Sequence, residues 1–63
     1  MTIYMAIRKG IEGSEFADTR TASLLSAEKA ASLAAAYNET YPETAAEFPV
    51  LRIAKFECKE VPQ

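Results

Sequence analysis

A chain of 63 residues buries only about 60% of the surface that its unfolded form exposes, so residues 1–63 are expected to form one domain with a core near the lower limit of independent stability. Hydrophobic residues make up 49% of the sequence, with three Phe and three Tyr, which is the composition of a folded protein. Cys58 is the only cysteine and histidine is absent; an intrachain disulfide is excluded, the commonest zinc ligands are missing, and association is the remaining way to stabilise so small a core.

The net charge of −2 and a pI near 5.0 argue against the strongly basic surface that drives phosphate binding. Charge is also uneven along the chain. Residues 21–49 carry Glu28, Glu39, Glu43 and Glu47 against Lys29, whereas residues 50–63 carry Arg52, Lys55 and Lys59 against Glu57 and Glu60. No apolar run approaches the ~20 residues of a membrane span, and no basic stretch followed by an apolar run and a small-residue cleavage site opens the sequence. With one unpaired thiol, which fits a reducing compartment, a cytoplasmic protein is expected.

Residues 2–9 are rich in β-branched and aromatic types and predict a central strand. Ile3, Met5 and Ile7 lie on one face, with Tyr4, Ala6 and Arg8 on the other. Gly10 and Gly13 then signal a reversal over residues 10–14. Residues 16–22 alternate less cleanly and hold Asp18, Thr19, Arg20 and Thr21, a polar segment suited to an exposed edge strand.

From Ser23 or Ser26 to about Asn38 the sequence is dominated by strong helix formers. Either serine can cap the helix, and Glu28 suits its positive end. Ala27, Ala30, Ala31, Leu33, Ala34 and Tyr37 share one side at three- and four-residue spacing. A stripe so rich in alanine lets the helix approach its sheet closely but buries little apolar area. Pro42 forbids helical dihedrals at Tyr41, and residues 42–47 can restart as a short helix that Pro49 ends. Residues 50–58 predict a strong third strand, with Arg52, Ala54, Phe56 and Cys58 facing one way and Leu51, Ile53, Lys55 and Glu57 the other.

A tight turn makes the first two strands antiparallel, and the helical crossover returns the third strand parallel to the second. Placing the most apolar strand in the middle selects the order 2-1-3 over 1-2-3. The expected fold is α+β, a ββαβ chain with a three-stranded antiparallel sheet and one helix on one face.

One helix cannot cover both faces of that sheet. Tyr4, Ala6, Arg52, Phe56 and Cys58 are the candidate interface on the uncovered side, for a protein partner or a second copy in a homodimer. Arg8, Lys9, Arg20, Arg52, Lys55 and Lys59 are the candidate contacts of an alternative reading, a small nucleic-acid-binding protein, in which Tyr4 or Phe56 supplies a stacking surface. Glu12, Glu15, Asp18, Glu57 and Glu60 are interleaved with these cations and would cancel them. Cys58 lacks a histidine base to activate it and reads as a small core or interface residue. Glu39, Glu43 and Glu47 read as solvated helix faces, since no Asp-x-Asp loop, glycine-rich phosphate cradle or catalytic triad accompanies them. No metal, cofactor or enzymatic activity is expected.

The segment from Tyr41-Pro42-Glu43 through Phe48-Pro49-Val50-Leu51-Arg52-Ile53-Ala54-Lys55-Phe56-Glu57 resembles the ends of short reading frames of tailed phages and prophages. The resemblance spans about a third of the chain and carries no functional motif. It implies a protein acting in a bacterial cytoplasm by binding and modulating one host macromolecule.

Overall fold

The computed structural model describes residues 1–57. Strand β1 (Thr2–Lys9) leads into a single 3-10 turn (Ile11–Gly13) and strand β2 (Glu15–Ser23). Helices α1 (Ala27–Thr40) and α2 (Pro42–Glu47) follow, and strand β3 (Val50–Glu57) completes the sheet. The order is β2-β1-β3, with both pairs antiparallel, as the sequence predicts. At the reversal, Gly13 adopts φ +81°, where a side chain would be strained. Glu12 sits beside it at φ +57°, and the loop closes through the Gly10 amide, which donates to the Ser14 carbonyl at 2.6 Å.

Of the two candidate caps, Ser26 is the one used: its hydroxyl accepts from the Lys29 amide at 3.1 Å. Tyr41 breaks the helical path, as the residue before a proline must, and Pro42 starts α2 at its first turn. Ser23 has another task, accepting from the Leu25 amide at 3.1 Å to turn the chain out of β2. The buried stripe of α1 is narrower than its alanine pattern suggests. Ala30 and Ala34 are buried and Leu33 and Tyr37 half-buried, while Ala27 and Ala31 face solvent.

Residues directly opposite each other in an antiparallel ladder share a face, so register decides which side chains meet. Ile3 pairs with Phe56, Met5 with Ala54 and Ile7 with Arg52, whereas Tyr4 pairs with Lys55 and Ala6 with Ile53. Phe56 and Arg52 therefore join Ile3, Met5 and Ile7, and the interface expected from Tyr4, Ala6, Arg52 and Phe56 is divided between opposite faces. Strand alternation fixes parity within each strand but not between strands, which is why the sequence grouped them wrongly. Cys58, the fifth residue of that set, lies outside the described residues, as does Lys59.

Helix α1 contacts all three strands on the face of Tyr4, Ala6 and Arg8. Arg8 donates to the carbonyl of Phe48, at the end of α2, and Arg20, which binds Asp18 beside Arg8, stacks over Tyr37 of α1. Ala6 has 0% of its surface exposed. The buried apolar residues among those described are Ala6, Ile7, Ala30 and Ala34, and the largest fully buried side chains are Arg8 and Thr21. Three alanines and one isoleucine form a small core, and much of the interior is polar.

Strand β2 is an edge strand, as expected, but it is not a uniformly exposed one. Between its pairings Ala6↔Asp18 and Tyr4↔Ser23, β1 advances by two residues and β2 by five, so three extra residues form a wide bulge. Thr21 fills the gap in the ladder. Its hydroxyl accepts from the Ala6 amide at 2.8 Å and donates to the Asp18 carbonyl at 2.7 Å. The isosteric substitution Thr21→Val strands two buried backbone groups and is expected to cost about 1–3 kcal/mol, read as a lower urea midpoint with an unchanged slope.

Candidate functional site

Two places in the fold concentrate unusual chemistry, and they lie on opposite faces of the sheet. On the helix side, Arg8 is 2% and Asp18 5% exposed, and the Arg8 Nε donates to Asp18 Oδ2 at 2.8 Å. A second guanidinium nitrogen of Arg8 donates to the Phe48 carbonyl at 2.9 Å, so this one side chain ties β1 to β2 and to the end of α2. Asp18 is shared. Its Oδ1 accepts from the Arg20 amide at 3.1 Å and from Arg20 Nε at 3.2 Å. The Arg20 guanidinium lies 4.8 Å over the Tyr37 ring, within the range of a cation–π contact, and Tyr37 stacks on Tyr41 at 6.2 Å. Phe16 packs edge-on against Phe48 at 5.7 Å alongside.

Burial pushes the Asp18 carboxyl up, but the hydrogen bonds from Arg20 and Arg8 outweigh it and hold the group below its ordinary value of 3.8. Asp18 is thus a carboxylate committed to two cations rather than a proton donor. The network ties elements together, with Arg20 as its solvent-exposed member.

The opposite face carries Ile3, Met5 and Ile7 of β1, Ala17 of β2, and Ala54 and Phe56 of β3. Among the described residues, no helix lies on it. Its charged groups are Lys9 on β1, Glu15 on β2 and Arg52 on β3; Glu15 stands opposite Lys9 in the ladder and is joined to Arg52 at 2.7 Å. Because Glu15 and Arg52 stand on the two strands flanking β1, their ion pair straps across the central strand, and Ile7 beneath it is buried. A shallow hollow of about 260 Å³ opens beside the strap, lined by Ile7, Glu15, Phe16, Ala17, Arg52 and Phe56. A second hollow of similar size lies at the α1–α2 junction, lined by Thr40, Tyr41, Pro42, Glu43 and Thr44.

The cations expected to form a nucleic-acid surface are not brought together. Arg8 is buried against Asp18, and Arg20 is held by the same carboxylate. Arg52 belongs to the opposite face and is bound to Glu15, Lys55 lies 3.5 Å from Glu57, and Lys9 shares the face of Arg52, opposite Glu15 in the ladder. Ion pairing and the division between faces remove the continuous basic track that a phosphate backbone needs. Among the described residues, no group of three or more Cys, Asp or Glu side chains is placed to hold a metal ion, and no helix is long and apolar enough to cross a membrane.

Ile3, Met5 and Ile7 were legible in the sequence as one face of β1, but nothing there said that this face would be the open one. The role of Asp18 was also hidden, because a carboxylate in a polar edge segment carries no sign of burial until the register sets it beside Arg8. No protein-family model matches the chain, and neither a curated protein nor a solved structure is similar to it.

Removing the charge at residue 18 leaves Arg8 buried and unpaired, and Asp18→Asn is expected to cost about 3–5 kcal/mol. The pH dependence follows from the direction of the Asp18 shift. As pH falls, the unfolded chain takes up this proton first; the stability from Asp18 is present above about pH 4 and is lost as pH drops through the lower folded value. Urea midpoints measured from about pH 5 down to pH 2 should fall in the parent, and the Asp18→Asn variant should lack that component of the fall.

Proposed function

We propose that this chain is a non-enzymatic interaction protein that works by binding another protein through the sheet face of Ile3, Met5, Ile7, Ala54 and Phe56. One observation carries the reading: a largely apolar sheet face lies opposite the helical layer, on a chain whose own core is mostly alanine. Contiguous apolar surface on a small protein is where association takes place, and a chain of this size gains from it the burial that it lacks. The dispersal and pairing of the cations favour a protein partner over nucleic acid. The resemblance of the C-terminal third to short phage and prophage reading frames would set this activity in a bacterial cytoplasm, with a host macromolecule as the target to be modulated.

The test is affinity capture from bacterial lysate with tagged parent and Met5→Asp proteins, with and without nuclease and at low and high salt. A protein retained through nuclease and high salt by the parent, and released by a folded Met5→Asp variant, is the expected result. Loss of all captured material on nuclease treatment, or its steep loss with salt, would mark phosphate-driven binding and contradict the proposal.

A further inference from the structure

We infer that the outer edge of β3 takes up an extended segment of a different protein as a fourth strand of the sheet, through main-chain hydrogen bonds. The inference rests on the interaction reading above and supplies the chemistry of the partner.

Backbone parity locates the free groups. The Ala6 amide donates toward β2, to the Thr21 hydroxyl, and the Lys9 amide donates toward β3, to the Pro49 carbonyl. Successive residues of a strand turn their amides and carbonyls to opposite sides. Ile3, Met5 and Ile7 therefore bond to β3, and their partners Phe56, Ala54 and Arg52 have their backbone groups turned inward. Ile53, Lys55 and Glu57 turn theirs outward. β3 is an edge strand, and among the described residues no backbone group bonds to these three from beyond it. They present three amides and three carbonyls, with about 7 Å between successive residues, a spacing that another extended backbone matches. The other edge lacks this regularity: β2 is broken by its bulge between Asp18 and Ser23, whereas the irregularity in β3 is confined to Leu51, before the run from 52 to 57.

Side chains then choose between a second copy and a different protein. Two copies of β3 paired antiparallel so that all three outward residues are used set Lys55 against Lys55 and Ile53 against Glu57. Like charges directly opposite destabilise a strand pair, and each isoleucine would face a carboxylate. A foreign strand avoids both mismatches. Its residues fall alternately on the two faces of the sheet. Those beside Ala54 and Phe56 lie on the open face and are apolar, so that the apolar surface widens by one strand. The residue between them stands opposite Lys55 on the helix side and is acidic. The exposed contact of Lys55 with Glu57 of its own strand, at 3.5 Å, is too weak to prevent this exchange of partners. The segment recognised is thus extended, with an acidic residue between two apolar ones.

Selection of random linear peptides displayed on phage against the immobilised full chain tests this. Enriched peptides should carry the acidic residue between apolar ones. A synthetic copy of one should slow hydrogen exchange at the Ile53, Lys55 and Glu57 amides and leave the Ala54 and Phe56 amides, already protected by β1, unchanged. Lys55→Pro removes an outward amide without touching the ladder to β1, and an edge strand tolerates proline at such a place. This variant should keep the circular dichroism of the parent and bind the peptide at least about tenfold more weakly, while Lys55→Ala, which keeps the amide, should lose less. Failure to enrich any peptide, an enriched peptide that leaves exchange at residues 53, 55 and 57 unchanged, or a folded Lys55→Pro variant that binds like the parent overturns the edge. If Lys55→Pro does not fold, the exchange result on the parent decides. With the edge overturned, capture of a lysate protein that depends on Met5 still upholds the interaction reading.

Discussion

A three-stranded sheet has two faces, and this chain has one helical layer to cover them. The rest of the structure can be understood from that mismatch. α1 and α2 occupy the side of Ala6 and Arg8, and the alanines of α1 let it lie close enough for Ala6, Ala30 and Ala34 to be buried. Close approach has a consequence: alanine stripes exclude water well but bury little area, so the covered side contributes little hydrophobic stabilisation per residue. Ile3, Met5 and Ile7 of β1 and Phe56 of β3 are left on the other side, where the only cover within the described residues is the Glu15–Arg52 strap over Ile7.

The covered side compensates with polar order. Arg8 and Asp18 are almost wholly buried, and between them they engage Arg20, the Phe48 carbonyl and, through Arg20, the ring of Tyr37. A buried pair of this kind adds little net stability over a well-packed apolar pair, but breaking it is costly, because the survivor is left charged in a poor solvent. Its effect here is positional. It fixes β2 against β1 at the point where the ladder is interrupted, and it fixes the end of α2 where the chain re-enters the sheet as β3. Thr21 does the equivalent for the backbone, its hydroxyl taking the place of a backbone acceptor for the Ala6 amide where the bulge interrupts the ladder. A core too small to specify one packing by shape is specified by directed contacts.

The elements that were legible in the sequence are those governed by local rules. β1 follows from its run of β-branched and aromatic residues, α1 from helix propensity and the Ser26 cap, and the break at Tyr41 from Pro42. The 2-1-3 order follows from a tight turn, a helical crossover and the demand that the most apolar strand be central. What stayed hidden depends on register. Whether Phe56 stands beside Tyr4 or beside Ile3 turns on a shift of one residue between β1 and β3, and no periodicity within either strand contains that information. The wide bulge in β2 was hidden for the same reason, and with it the burial of Asp18 and Thr21 in a segment that reads as solvent-facing. Arg8 misled most: an arginine on a strand suggests a surface, and only its pairing with Asp18 accounts for its place in the core.

The central claim is that the face of Ile3, Met5 and Phe56 lies open, opposite the helical layer. Its most direct test is solvent paramagnetic relaxation of the Met5 and Ile3 methyl groups by a soluble nitroxide in dilute solution. The account predicts strong broadening of both methyls, with the Ala30 and Ala34 methyls protected. Protection of Met5 and Ile3 equal to that of Ala30 and Ala34 would mean that the chain covers this face itself and would contradict the account.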